Sequence, residues 1–168
     1  MPSEFTVNIF CPKPKLIIFA RALYGDQPLV IPRKDNLNRL VNILLQKAPP
    51  DYRTVNYGDQ NISIQLPYYE DKDVRSWYYL SDRSQHTVVN RFDDLFTLEF
   101  RKHVDRMLIL GVKNQKDSIY SFIEKYDLPE DILSDLLKDY QRYRNILASR
   151  EYRFKVRKRE LSEHMQVN

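Results

Sequence analysis

Glycine is scarce in these 168 residues, with Gly25, Gly58 and Gly111 the only three. A phosphate-binding loop and a dinucleotide fingerprint both need closely spaced glycines so that backbone amides can approach a phosphate, and neither can be written anywhere in the chain. Nucleotide-driven chemistry of those types is excluded. Cysteine is scarcer still. The single Cys11 excludes an internal disulfide framework, and it has no neighbouring histidine to activate it as a nucleophile. His86, His103 and His164 never fall at ligand spacing, so no metal and no cofactor is expected, and His103 reads as a satisfied histidine at the core boundary. Long apolar runs are also missing. None approaches the ~18 residues of a membrane span or the core of a signal peptide, and the expectation is an intracellular protein with no membrane partner.

What the chain does have is charge in an uneven order. Its composition, 42% hydrophobic and 30% charged, is that of a globular domain, with a formal net charge of +4. Residues 115–141 carry three basic side chains against seven acidic ones, a net of −4, while residues 142–168 carry eight against three, a net of +5. The remaining +3 lies in residues 1–114. This asymmetry says more about partners than the total does.

The N-terminal half reads as mixed structure. Phe5, Val7 and Ile9 alternate with polar residues as a strand that stops at Pro12 and Pro14. Pro14 can open a short helix with Leu16, Phe19, Ala20 and Leu23 on one side, closed by Gly25, a reading preferred here although the run Leu16 to Phe19 equally suits a buried strand. Leu37, Leu40, Val41, Leu44, Leu45 and Ala48 form a helical stripe, capped by Asp35 and Asn36 and stopped at Pro49 and Pro50. Period two returns over 61–80. There Ile62, Ile64, Leu66 and Tyr68, an acidic turn at Glu70 to Asp73 and a returning limb 74–80 predict a hairpin, placed at a sheet edge by Pro67. Its aromatics, Tyr68, Tyr69, Trp77, Tyr78 and Tyr79, form a face that suits cross-strand packing before it suits base stacking. Over 87–110 a wide apolar arc, Val88 to Leu108, predicts the central helix.

The C-terminal half is helical. Ile119, Phe122, Ile123 and Tyr126 share one face of a short helix that Asn114 caps. Asp127 and Glu130 have capping-box spacing around Pro129, so a second helix is expected from Leu128, with the stripe Leu133, Leu136, Leu137, Tyr140, Tyr143 and Leu147. A connector this short makes a helix-turn-helix outline. Glu130, Asp131, Asp135 and Asp139 in its early turns would repel phosphate, which argues against base reading by that part of the helix. The cations follow later: Arg142, Arg144, Arg150, Arg153, Lys155, Arg157, Lys158 and Arg159 are the candidate nucleic-acid contacts. Tyr140, Leu147, Phe154 and Leu161 repeat every seven residues as a candidate docking line for another protein, whereas Arg150 and Arg157 interrupt the second seam that a coiled coil needs. No catalytic residue is assigned. Asp51, Glu70 and Lys72 match the loose spacing of a Mg²⁺-dependent nuclease, but Glu70 and Lys72 fall in a turn that would fix their geometry poorly.

The predicted fold is α+β: a small antiparallel hairpin or sheet with a helical C-terminal half ending in the helix-turn-helix-like pair and a long basic terminal helix. The expected divisions are a scaffold over 1–112, the pair over 113–148 and a basic arm over 149–168. The order of features, 14–25, 35–48, the aromatic hairpin and the run 117–128, resembles small uncharacterised proteins of bacterial phages and mobile elements. Residues 119–133 resemble the C-terminal helix-turn-helix of middle-operon transcription regulators of transposing phages, departing where Glu130, Asp131 and Asp135 replace neutral or basic residues. The resemblance implies DNA-associated biology in a bacterial host cytoplasm or a virion and transfers no site residue. The functional expectation is a non-enzymatic DNA-associated binding protein, regulatory or accessory. The alternative is a structural or adaptor protein that docks other subunits through its helical arm, and a Mg²⁺-dependent nuclease ranks third.

Overall fold

The computed structural model describes residues 5–166, with side chains described as far as residue 155. Two strands and five helices run in the order β1 (Thr6–Phe10), α1 (Pro14–Tyr24), α2 (Asn36–Leu44), β2 (Asn61–Gln65), α3 (Asp82–Ile109), α4 (Gln115–Lys125) and α5 (Leu133–Gln166). The α+β class and the helical C-terminal half are as expected.

The sheet pairs differently from the predicted hairpin. β2 lies antiparallel to β1, with Val7 opposite Ile64 and Ile9 opposite Ile62, and these four side chains turn into the core. On its other side β2 meets Leu29, whose N–H donates to the Ser63 carbonyl at 2.7 Å and whose carbonyl accepts from Gln65 N–H at 3.0 Å. The sheet has two strands, and the isolated bridge to Leu29 covers part of the free side of β2. The expected return limb forms no strand. It folds over the chain after α2, where Gln46 and Tyr79 make an isolated bridge and Ala48 N–H donates to the Ser76 carbonyl. Alternation sets which side of a strand is apolar but does not choose its partner. Most aromatics of this segment are spent on packing: Tyr79 and Tyr78 lie against Tyr52 at 4.8 and 5.8 Å, Tyr78 also faces Phe5, and Tyr69 donates to Asn38 Oδ1 at 3.1 Å, while Tyr68 stays exposed.

Helix starts follow local chemistry. Pro14 opens α1, and Gly25, at φ 89°, closes it in a conformation that side chains resist. Asp35 caps α2 by accepting from Leu37 N–H at 2.7 Å. That helix stops at Leu44, short of Pro49, because Leu45 turns extended so that Gln46 can reach Tyr79. Its C-terminal carbonyls are met by Lys72, whose ammonium contacts the carbonyl oxygens of Asn42 and Leu45 and lies 5.2 Å from the Trp77 ring centroid. A cation at a helix C-terminus is favourable on both hydrogen-bond and dipole grounds. Lys72 is thus engaged by α2, not by Glu70 or Asp51.

Helix α3 is central, as expected, but begins at Asp82 because Ser81 caps it. Gln85, on its first turn, accepts from Phe10 N–H at 3.0 Å and donates to the Leu80 carbonyl at 3.1 Å, tying the end of β1 to the start of the helix. Its buried row, Val88, Phe92, Phe96, Phe100 and Val104, belongs to one core that also takes in β1, β2, α1, α4 and the first turns of α5. Phe122 of α4 packs edge-on to Phe96 and Phe100 at 5.6 and 5.3 Å, and Tyr126 reaches Phe19 at 5.1 Å. His103 sits at the core boundary with Nε2 2.7 Å from Ser121 Oγ. Burial, helped by Lys125 and Arg106, holds its imidazolium below the usual range.

The turn between α4 and α5 also differs from expectation. Asp127 does not cap the second helix. It adopts φ 50° and ends the first, while Leu128 N–H donates to the Ile123 carbonyl at 3.0 Å in a left-handed closing turn. Pro129 then leads a single 3-10 turn at Glu130–Ile132, and α5 starts at Leu133. Asp tolerates the left-handed region better than most residues, and Pro129 bars the helical conformation at Leu128, so two local preferences override the capping-box spacing.

Replacing Lys72 with Met keeps the stem and its contact with Trp77 while removing the charge from the end of α2. We expect Lys72→Met to lower stability by about 1 kcal/mol and Glu70→Gln to change it by less than about 0.5 kcal/mol. Chemical denaturation of the two variants checks this, and equal effects would mean that Lys72 and Glu70 act together.

Candidate functional site

Helix α5 spans 34 residues, about 50 Å at 1.5 Å per residue. Among its described residues, the side chains withdrawn from water lie in the first four turns. Leu136 and Tyr140 are buried, and Leu133, Leu137, Tyr143 and Leu147 are half-buried. Tyr140 packs edge-on to Phe100 at 6.2 Å and donates its hydroxyl to Asp105 Oδ1 at 2.6 Å. Tyr143 donates to the other oxygen of the same carboxylate at 3.3 Å. One turn earlier on α3, Arg101 holds Asp139 through Nε and Nη2 at 2.9 to 3.1 Å and lies 4.8 Å from the Tyr143 ring centroid. Burial first, and then the adjacent Asp105 carboxylate, push the Tyr140 phenol up to about 12, so it stays a donor across the physiological range. Tyr143 is raised for the same two reasons.

These contacts correct two expectations. Tyr140 shares the seven-residue spacing of the docking line, but it is fully buried inside the chain's own core and offers nothing to a partner. The four carboxylates also separate: Asp139 is neutralised by Arg101, Glu130 and Asp131 lie on the 3-10 turn, and Asp135 is exposed on the first turn of α5. Periodicity could not distinguish Tyr140 from Leu147, because both satisfy the same seven-residue spacing and only the end of α3 decides which is covered.

Beyond Tyr143 the helix turns outward in character. Arg142, Arg144, Arg150, Arg153 and Lys155 are all exposed, and none takes part in a salt bridge among the described residues. Glu151 is the one carboxylate in that span. Phe154 is 71% exposed, one turn from Arg150 on the same side of the helix. Tyr152 and Ile146 are exposed as well; neither joins the seven-residue line, and only their hydrophobic size marked them in the sequence. The side chains of Arg157, Lys158, Arg159 and Leu161 lie outside the described residues.

Two recesses lie on the body. One, of about 500 Å³, runs beside the start of α5, floored by Phe96, Phe100 and Leu136 and edged by Asp131 and Asp135. The other, of about 400 Å³, lies between Phe10, Tyr57 and the first turns of α3. Among the described residues no group of three or more His, Cys, Asp or Glu is placed to hold a metal ion, and no helix is long and apolar enough to cross a membrane.

Two measurements check this division of α5. Deleting residues 149–168 should leave the thermal midpoint nearly unchanged, because among the described residues the last buried side chain is Tyr140 and the last half-buried one Leu147. Replacing Asp105 with Ala strands the buried Tyr140 hydroxyl and frees Tyr143; we expect a loss of about 2 kcal/mol in chemical denaturation, with Asp105→Asn intermediate.

Compared with family models, with curated proteins and with solved structures, the chain matches none.

Proposed function

We propose that this chain is a non-enzymatic nucleic-acid-associated binding protein whose contact element is the basic part of α5. The observation that carries this reading is the exposure of Arg142, Arg144, Arg150, Arg153 and Lys155 beside a single carboxylate, Glu151, with Arg150, Arg153 and Lys155 on a stretch of helix that no other part of the described chain covers. Cations held at fixed helical positions and left without carboxylate partners gain most from meeting phosphates, because binding releases condensed counterions. Such contacts position a protein on a duplex or single strand without reading its sequence. The acidic start of α5 keeps that end away from the phosphates and so orients the arm. The resemblance of residues 119–133 to regulators of transposing phages supports placing the activity in phage or mobile-element DNA biology, as a regulatory or accessory component in a host cytoplasm or a virion.

A second reading, an adaptor that docks other protein subunits, is favoured by one observation. Phe154 and Tyr152 are large aromatics left about 70% exposed on the same helix, and aromatic anchors of this kind dominate protein interfaces.

Salt separates the two. In fluorescence-anisotropy titrations with duplex and single-stranded DNA, the parent should bind with little sequence preference and lose affinity steeply as salt rises. Neutralising Arg153, Lys155, Arg157, Lys158 and Arg159 should remove most of that affinity and lower the salt slope by about 0.9 per lost duplex contact. Asp131→Asn with Asp135→Asn should leave binding equal or tighter. A parent that fails to bind DNA at low salt rejects the first reading and leaves the second.

A further inference from the structure

The two ends of α5 are complementary in charge and in shape, yet they cannot meet within one chain. From Asp135 to Phe154 is 19 positions along an unbroken helix, about 28 Å at 1.5 Å per residue, so an arm cannot fold back onto the recess beside its own first turns. We propose that the chain forms a two-fold dimer in which the basic arm of each copy lies antiparallel along the acidic start of α5 in the other, seating Phe154 in the recess there.

The recess has the properties such an occupant needs. Its floor is apolar, made of Phe96, Phe100 and Leu136, and at about 500 Å³ it accommodates a large aromatic side chain with its neighbours. Two of its other charges are matched, Lys13 by Asp93 at 2.6 Å and Asp139 by Arg101, while the Lys15 ammonium lies 5.0 Å from the Phe96 ring centroid. Asp131 and Asp135 remain exposed on its rim, in no salt bridge among the described residues, with Glu130 beside them. The occupant should therefore be a helix carrying an apolar anchor and two or more cations. The arm supplies that set: Leu147 and Phe154 lie two turns apart on one side, with Arg150 between them and Arg153 adjacent. Running two copies of α5 antiparallel brings each acidic start against the other's basic segment, so one two-fold axis satisfies both contacts at once, as an isologous interface requires. Charges so arranged attract antiparallel pairs and repel parallel ones.

This dimer does not depend on nucleic-acid binding, and it uses some of the same arginines. Sedimentation velocity of the full chain without nucleic acid tests it. The parent should show a concentration-dependent monomer–dimer equilibrium at low salt that weakens as salt rises. Asp131→Lys with Asp135→Lys, and separately Arg150→Glu with Arg153→Glu, should each weaken dimerisation by about tenfold or more, since each variant sets like charges against one another at both contacts. Mixed in equal amounts, the two variants should restore a dimer, because every contact in the mixed pair again joins opposite charges. Circular dichroism shows whether each variant is folded. If the lysine pair does not fold, Asp131→Asn with Asp135→Asn takes its place and should weaken the dimer in the same direction. A parent that stays monomeric at low salt overturns the proposal. So does a dimer indifferent to both variants, or a mixture of folded variants that stays monomeric. Dimerisation by a chain with no DNA affinity supports the dimer and rejects only the nucleic-acid reading.

Discussion

The carboxylate of Asp105 ties the first turns of α5 to the central helix. It projects from the central helix α3 and accepts from two tyrosine hydroxyls on α5, at 2.6 and 3.3 Å. The aromatic contact of Tyr140 with Phe100 lies beneath it, and the Arg101–Asp139 pair closes the same surface one turn away. Since Arg101 faces Asp139 and Asp105 faces Tyr143 at a constant sequence offset, the two helices run in the same direction. Polar groups half-withdrawn from water are costly when unpaired, so this set holds α5 in one register. It also decides which part of the helix belongs to the body and which is free.

That division has an electrostatic consequence. Asp139 and Asp105 are consumed in holding α5 to α3, whereas Arg142, Arg144, Arg150, Arg153 and Lys155 meet no carboxylate partner among the described residues. One helix therefore carries an internally satisfied segment followed by an unsatisfied basic one, and any anionic partner meets the second. A phosphate backbone and the acidic start of another α5 are both anionic surfaces, so the same arginines are available to either. Occupancy of one withdraws them from the other.

The sheet shows how little of a strand's partner is written locally. Pro67 and the acidic turn at Glu70 to Asp73 look like the end and turn of a hairpin, yet β2 lies between β1 and Leu29, and the residues after Pro67 close over α2 instead. Lys72 illustrates the same point at the level of one side chain. Beside Glu70 in sequence it suggests chemistry, but in the fold its ammonium closes the C-terminal carbonyls of a helix some thirty residues earlier.

Periodicity marked four of the five helices and most core residues, because apolar spacing of three and four must face a common interior wherever the helix lies, while α1 also needed Pro14 and Gly25 to separate it from a strand. Asn114, Asp35 and Gly25 marked helix ends for equally local reasons, and the −4 and +5 segments were plain from counting charges. Tertiary structure decided the rest. It paired β2 with β1, turned Asp127 from a cap into a stop, drew Tyr140 out of the docking line and into the core, and matched Asp139 to Arg101. Each of these depends on a partner distant in sequence or on competition between two local preferences. The spacing of residues specifies directions around a helix or strand, but only the packed chain specifies which of those directions is occupied.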